Sequence, residues 1–189
     1  MKTRELQIIQ ASLKIIASRG IKKFTTAELA NEVGVSEAAI FKYFRSKNEI
    51  LSAAVAYIQQ TLLTEANKIA SEKTEPMLKL KKLLEFHLTL IENNFAIPEL
   101  IFSEQLYMED DRLRKRVAET IESYLEILKN ILQQIQDSRS KPSEIDLDML
   151  ATAFLGVIQV NLLRKSLNQK DFSLQEEYEK IWGFFKKII

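Results

Sequence analysis

Across 189 residues there are only four glycines and three prolines, and this scarcity limits the fold more than any other feature. Sheets double back through tight turns that need a positive or preset φ, and those turns draw on Gly, Pro and Asn-Gly pairs. So few of them cannot supply a series of hairpins, and an all-α fold follows. Apolar residues make up 46% of the chain, enough for a sizeable core. The chain has no cysteine, which removes disulfides, zinc ribbons and thiol nucleophiles. Lys2 and Arg4 are not followed by an apolar stretch of signal-peptide length, and no run of about 18 apolar residues occurs. The expectation is a cytoplasmic protein with no membrane partner.

Apolar periodicity and capping residues divide the chain into about nine helices. The first spans about 3–19, with Leu6, Ile9, Leu13 and Ile16 on one face and Gly20 as its stop. Thr25 to Glu28 has the form of a capping box, in which the hydroxyl and the carboxylate satisfy each other's exposed amides. It opens a short second helix that Gly34 ends. Ser36 caps a third helix expected to reach Tyr43, and Ser46 to Glu49 is a second box opening a long fourth helix. Pro76 and Pro98 then mark the starts of the fifth and sixth helices. Asp110 or Asp111 starts the seventh, Asp146 the eighth, and Ser173 to Glu176 forms a third box before the last.

Charge divides the chain unevenly. Residues 1–50 carry nine Lys/Arg against five Asp/Glu, whereas the remainder carries 18 against 21. A basic head on a slightly acidic body suits a protein that meets a polyanion at one end. Two short helices joined through Glu32 to Val35 and braced by a third make a helix-turn-helix. A helix of about seven residues is about 10 Å long, short enough to enter a major groove about 12 Å wide. Leu29, Val33, Ile40 and Phe44 are expected to bury against Leu13 and Ile16, leaving Glu37, Ala38, Ala39, Lys42 and Tyr43 outward.

The run Phe24-Thr25-Thr26-Ala27-Glu28-Leu29-Ala30, then Gly34-Val35-Ser36, Ile40-Phe41-Lys42-Tyr43-Phe44 and Ser46-Lys47 resembles the signature of the TetR family of transcriptional regulators. That resemblance implies a helix-turn-helix DNA-binding domain over 1–50 and a helical effector-binding and dimerisation domain over 51–189. It also implies double-stranded DNA as partner, a palindromic operator, a homodimer, no cofactor and a place on the nucleoid. Thr25 and Thr26 would face a phosphate, Ser36, Ala38, Ala39 and Lys42 base edges or the adjoining backbone, and Tyr43 and Lys47 phosphates. Lys47 has independent support, because a cation in a helix's first turn opposes the dipole unless an anion sits there. Phe41 departs from the family, which has tyrosine at that place and so a hydroxyl that is missing here. Glu37 is expected to complement the helix dipole or to accept from a cytosine amine.

Between head and C-terminus lie Tyr57, Leu83, Phe86, His87, Leu90, Phe95, Phe102, Leu106, Tyr107 and Tyr124. The resemblance places a small apolar effector among them, although such a stripe is also what a plain core requires. The last two helices would form the dimer interface through Ala153, Gly156, Val157, Tyr178, Ile181, Trp182 and Phe185.

Two other functions are open to such a chain. Gly34 to Phe44 and Leu106 to Val117 also resemble a bacterial nucleoid-occlusion factor of the same superfamily, which binds DNA and a cell-division partner. A helical-bundle enzyme is disfavoured, because Glu109-Asp110-Asp111 sits at a helix start and nothing pairs a nucleophile with a base. The single histidine also excludes paired Glu-x-x-His metal ligands.

Overall fold

The computed structural model describes residues 3–94, 96–101, 111–139, 145–167 and 174–189, with 174 and 175 as backbone alone. Among these the chain forms nine α-helices and one 3-10 turn, with no strand. They are α1 (Thr3–Arg19), the 3-10 turn (Ile21–Lys23), α2 (Thr26–Val33), α3 (Glu37–Phe41) and α4 (Lys47–Ser71). There follow α5 (Pro76–Glu92), α6 (Ala96–Ile101), α7 (Asp111–Asp137), α8 (Leu147–Leu167) and α9 (Leu174–Ile188). Phe95, Phe102, Leu106, Tyr107, Glu109, Asp110 and Ser173 lie outside the described residues.

Three local expectations need correction. Helix α3 closes at Phe41, because Tyr43 N–H bonds Ile40 O three residues back and the last turn tightens before Phe44. Helix α6 begins two residues before Pro98, whose missing N–H is harmless inside a first turn. The box at Thr25 forms only by half. Thr25 Oγ1 accepts from Glu28 N–H at 3.2 Å, but the Glu28 carboxylate turns to Arg19 instead.

Contacts separate the chain into two compact units, residues 1–61 with 94–118 and residues 62–93 with 119–189. In the first, the core joins Ile9, Leu13 and Ile16 of α1 to Phe24, Leu29, Ile40 and Phe44. Ile50 and Leu51 of α4, Leu100 of α6 and Leu113 of α7 complete it.

The second unit has its own core. Leu80, Leu83, Leu84 and Leu88 of α5 are buried, as are Leu128 and Ile131 of α7, Phe154 and Ile158 of α8, and Phe185 of α9. The Phe154 and Phe185 rings pack with centroids 4.9 Å apart. Besides Asn161, which donates to Val157 O of its own helix, two polar features interrupt this apolar interior among the described residues. Lys79, buried, donates to Ala70 O and to Gln134 Oε1, each at 3.0 Å. It thereby satisfies one of the carbonyls that the end of α4 leaves open.

His87 and Tyr124 form the other. His87 Nδ1 and Tyr124 Oη lie 2.9 Å apart and share a hydrogen bond whose direction follows the imidazole tautomer. The rings meet edge to face at 5.0 Å. Burial lowers the His87 pKa to about 4 and raises that of Tyr124, so both are neutral at pH 7.

Because the unfolded chain protonates this histidine near its ordinary 6.5 and the folded chain only near 4, its contribution is fully present above pH 6.5. It is lost as pH falls from there towards 4, by up to about 3 kcal/mol. Urea melts of wild type and His87→Phe across that range check this. The expected outcome is a stability that falls with pH in wild type and much less in the variant.

Candidate nucleic-acid interface

The first unit carries the sequence-predicted contact residues on a short projecting segment. Gly34 takes φ +73, a left-handed conformation that favours glycine, and Val35 N–H returns to Ala30 O at 2.9 Å. That closing pair ends α2 abruptly and redirects the chain. Ser36 then caps α3, its hydroxyl accepting from Ala39 N–H at 3.2 Å. Ile40 is fully buried and Phe44 is 6% exposed, so both ends of the segment are anchored in the core beneath.

Most of the residues between and beside those anchors turn outward. Ser36, Glu37, Ala38 and Lys42 are exposed, Ala39 is half-buried, and Phe41 and Tyr43 keep 45% and 40% of their surface in water. Two large aromatic side chains left that open on so short a segment are costly unless something covers them. Thr25 is exposed and Thr26 half-buried at the start of α2. Lys47 is half-buried at the start of α4, its Nζ lying 5.5 Å above the Phe24 ring, so its stem is held while its charge stays near the surface.

One contact on this face lies beyond any sequence rule. Thr26 Oγ1 donates to Glu37 Oε2 at 2.7 Å, linking the first residue of α2 to the first of α3. Capping patterns act within one helix, so a pair 11 residues apart across a turn leaves no local signal. Elsewhere on this unit, Lys14 pairs with Glu32 at 2.6 Å and Arg19 with Glu28, which neutralises part of its charge away from α3. The basic residues Lys22 and Lys23 of the 3-10 turn and Arg45 are exposed as well; only the net charge of residues 1–50 hinted at them.

The effector candidates fall in two places. Tyr57 is half-buried in the first unit, and Phe86, His87, Leu90 and Tyr124 belong to the second, with His87 and Tyr124 fully interior. Phe95, Phe102 and Tyr107 are outside the described residues.

The dimer candidates divide too. Tyr178, Ile181, Trp182 and Phe185 are buried within the chain, α9 packing them toward α5 with Lys81 Nζ 5.9 Å from the Tyr178 ring. Helical periodicity finds an apolar face but not whose core it enters, and here the chain covers that face itself. What stays open is on α8. Met149, Ala153, Gly156, Val160, Leu163 and Leu167 are exposed, Val160 by 58% and Leu167 by 74%, and Phe184 of α9 is exposed as well. Val157 is half-buried.

Comparison with known proteins agrees with this architecture. Residues 8–54 match the family described as bacterial regulatory proteins, tetR family, and residues 57–187 match the C-terminal region of YsiA-like proteins. Among curated relatives, the nucleoid occlusion factor SlmA of Shewanella amazonensis is 30% identical, over 98% of this chain and 94% of its own length. SlmA of Vibrio vulnificus strain YJ016 is 28% identical, over 98% and 95%. Among solved structures, the transcriptional regulator FadR of Bacillus subtilis in complex with stearoyl-CoA superposes with a TM-score of 0.78 at 21% identity, covering 94% of this chain and 95% of that one. The fatty acid degradation regulator FadR of Bacillus halodurans gives 0.82 at 18%, covering 97% and 94%. The chain belongs to the TetR family of bacterial regulatory proteins and is a DNA-binding transcription regulator of the helix-turn-helix type.

Proposed function

We propose that the chain is a ligand-responsive repressor that binds a palindromic operator as a homodimer and releases it when the body takes up an apolar, acyl-bearing effector. The projecting segment between Ile40 and Phe44 and their neighbours carries the DNA half of this reading. In the docked state Ser36, Ala38 and Ala39 face base edges. Phe41, without a hydroxyl, lays its ring on a thymine methyl. Thr25, Lys42, Tyr43 and Lys47 meet phosphates, which fix register and carry no base preference.

The open face of α8 supports the homodimer. Met149, Ala153, Gly156, Val160, Leu163 and Leu167 recur at alternating spacings of four and three, the seam of helices that pack side by side. Gly156 adds a second reason. Glycine in a helix interior costs about 1 kcal/mol relative to alanine, yet a Cβ built there meets nothing within 4 Å in the chain. A close approach by a second copy explains what the single chain does not. Helix α8 is also long and apolar enough to cross a membrane by length and composition, with a mean hydropathy of 1.3. Its opposite side, however, buries Leu150, Phe154, Ile158 and Leu162 in the protein's own core, and a lipid position would forfeit that packing. Two joined heads read half-sites about 34–36 Å apart.

The stearoyl-CoA held by the Bacillus subtilis FadR, whose fold this chain shares, supports a long-chain acyl group as effector. Phe86 and Leu90 offer apolar surface, and His87 with Tyr124 the polar atoms among them. An effector that binds the DNA-incompetent state about 100-fold more tightly shifts the equilibrium by about 2.7 kcal/mol, enough for release. The second reading, a nucleoid-occlusion factor, is favoured by the near full-length likeness to SlmA. Mapping of bound chromosomal sites separates the two. A few promoter palindromes support regulation, and many dispersed sites support occlusion.

Three outcomes follow. Lys42→Ala and Lys47→Ala each lower the slope of log affinity against log salt by about 1 and weaken all duplexes alike, read by fluorescence anisotropy. Gly156→Leu leaves the helix content intact but shifts the protein from dimer to monomer in sedimentation velocity. Oleoyl- or stearoyl-CoA lowers affinity for the operator at least tenfold, whereas coenzyme A alone does not; equal affinities in both would remove the acyl effector.

A further inference from the structure

The Thr26–Glu37 hydrogen bond is unexplained by the contacts assigned so far. Glu37 is an exposed carboxylate on the surface that the DNA-binding reading presses against a polyanion, where every nearby phosphate repels it. Among the described residues the Thr26 hydroxyl is its one hydrogen-bond partner. The bond has two consequences. It occupies the Thr26 hydroxyl hydrogen, which therefore cannot be given to a phosphate while the bond stands. It also fixes a flexible side chain through Oε2 and leaves Oε1 with its acceptor capacity open. Next along the chain, Ala38 and Ala39 present only methyl groups, and the Ser36 oxygen accepts from the helix's own Ala39 N–H. At the leading end of α3, Glu37 is thus the one strong acceptor facing outward, and it is held in place.

We infer that Glu37 sets the base preference of the head. Positioned by Thr26, its carboxylate accepts from the exocyclic amino group of a cytosine in the major groove and turns away a guanine, whose O6 and N7 are both acceptors there. Adenine is the weaker target, since its amino group sits beside the N7 acceptor. This assignment rests on the DNA-binding reading above and adds to it the chemistry of one base position. The charge repulsion is part of the device. Where no amino group meets the carboxylate, the buried acceptor disfavours docking, so discrimination comes from rejection as much as from attraction.

Selection of bound sequences from a random duplex pool, run on wild type, Glu37→Gln and Thr26→Val, tests it. Affinity for a random-sequence duplex and a thermal melt of each protein complete the set. Wild type is expected to enrich cytosine at one position of each half-site. Glu37→Gln loses that preference about tenfold or more, at that position alone, in favour of adenine, whose N6 and N7 match a carboxamide. It also binds random duplex several-fold more tightly, because a negative charge facing phosphates is gone. Thr26→Val keeps the charge and the shape but blunts the same preference several-fold. Unchanged preferences in both variants overturn the inference while leaving DNA binding intact, as does a uniform loss over all positions with normal melting. A wild type that binds no duplex overturns the inference and the DNA-binding reading together.

Discussion

Ile40 and Phe44 lie in the core of the first unit, and the rest of the head depends on where they go. A five-residue helix is far too short to hold itself together in water, since nucleation is unfavourable and few bonds repay it. Helix α3 exists because burying these two side chains is worth about 1.5–3 kcal/mol each and because Ser36 supplies its first turn with an acceptor. With both ends fixed, the residues between them have nowhere to turn but outward. Sequence thereby becomes geometry: two apolar residues four apart decide that Phe41, Lys42 and Tyr43 face solvent. The left-handed turn at Gly34 completes the constraint by setting where α3 starts.

Most of the helical layout was legible because helices announce their ends locally. Thr25, Ser36, Ser46 and Asp146 cap their helices through their own side chains, and the scarcity of glycine and proline left no competing fold. Tertiary partners decided what was not legible. Glu28 satisfies the first half of a capping box in sequence but finds a guanidinium from α1 across the fold. Tyr178, Ile181, Trp182 and Phe185 form one clear stripe, yet a stripe does not name its partner, and α5 of the same chain takes it. The Thr26–Glu37 bond joins two helix starts whose proximity exists only once the turn has formed. On the projecting segment, the outward placing of Glu37, Lys42 and Tyr43 was readable; the contact that ties Glu37 to Thr26 was not.

The body reflects a different balance. Helix α8 is apolar around most of its circumference, one side inside the chain and the other in solvent. An apolar face of that extent on a lone protein would promote indiscriminate association, and its regular seam with small residues at Ala153 and Gly156 suits a single, specific mate. Within the same unit, Lys79 and the His87–Tyr124 pair place polar atoms in an interior that would be more stable without them if they were unmatched. Their partners are in place, so the interior is defined by direction as well as by packing.

On the proposed function, the segment from Ser36 to Tyr43 reads base pairs, not merely charge. The most direct measurement is the ratio of affinities of the purified dimer for its best selected duplex and for a random duplex of equal length, at the same physiological salt. A sequence-reading head predicts a ratio of about 1,000 or more. A ratio near one would mean that only phosphates are felt, and would contradict the assignment of α3 to the major groove.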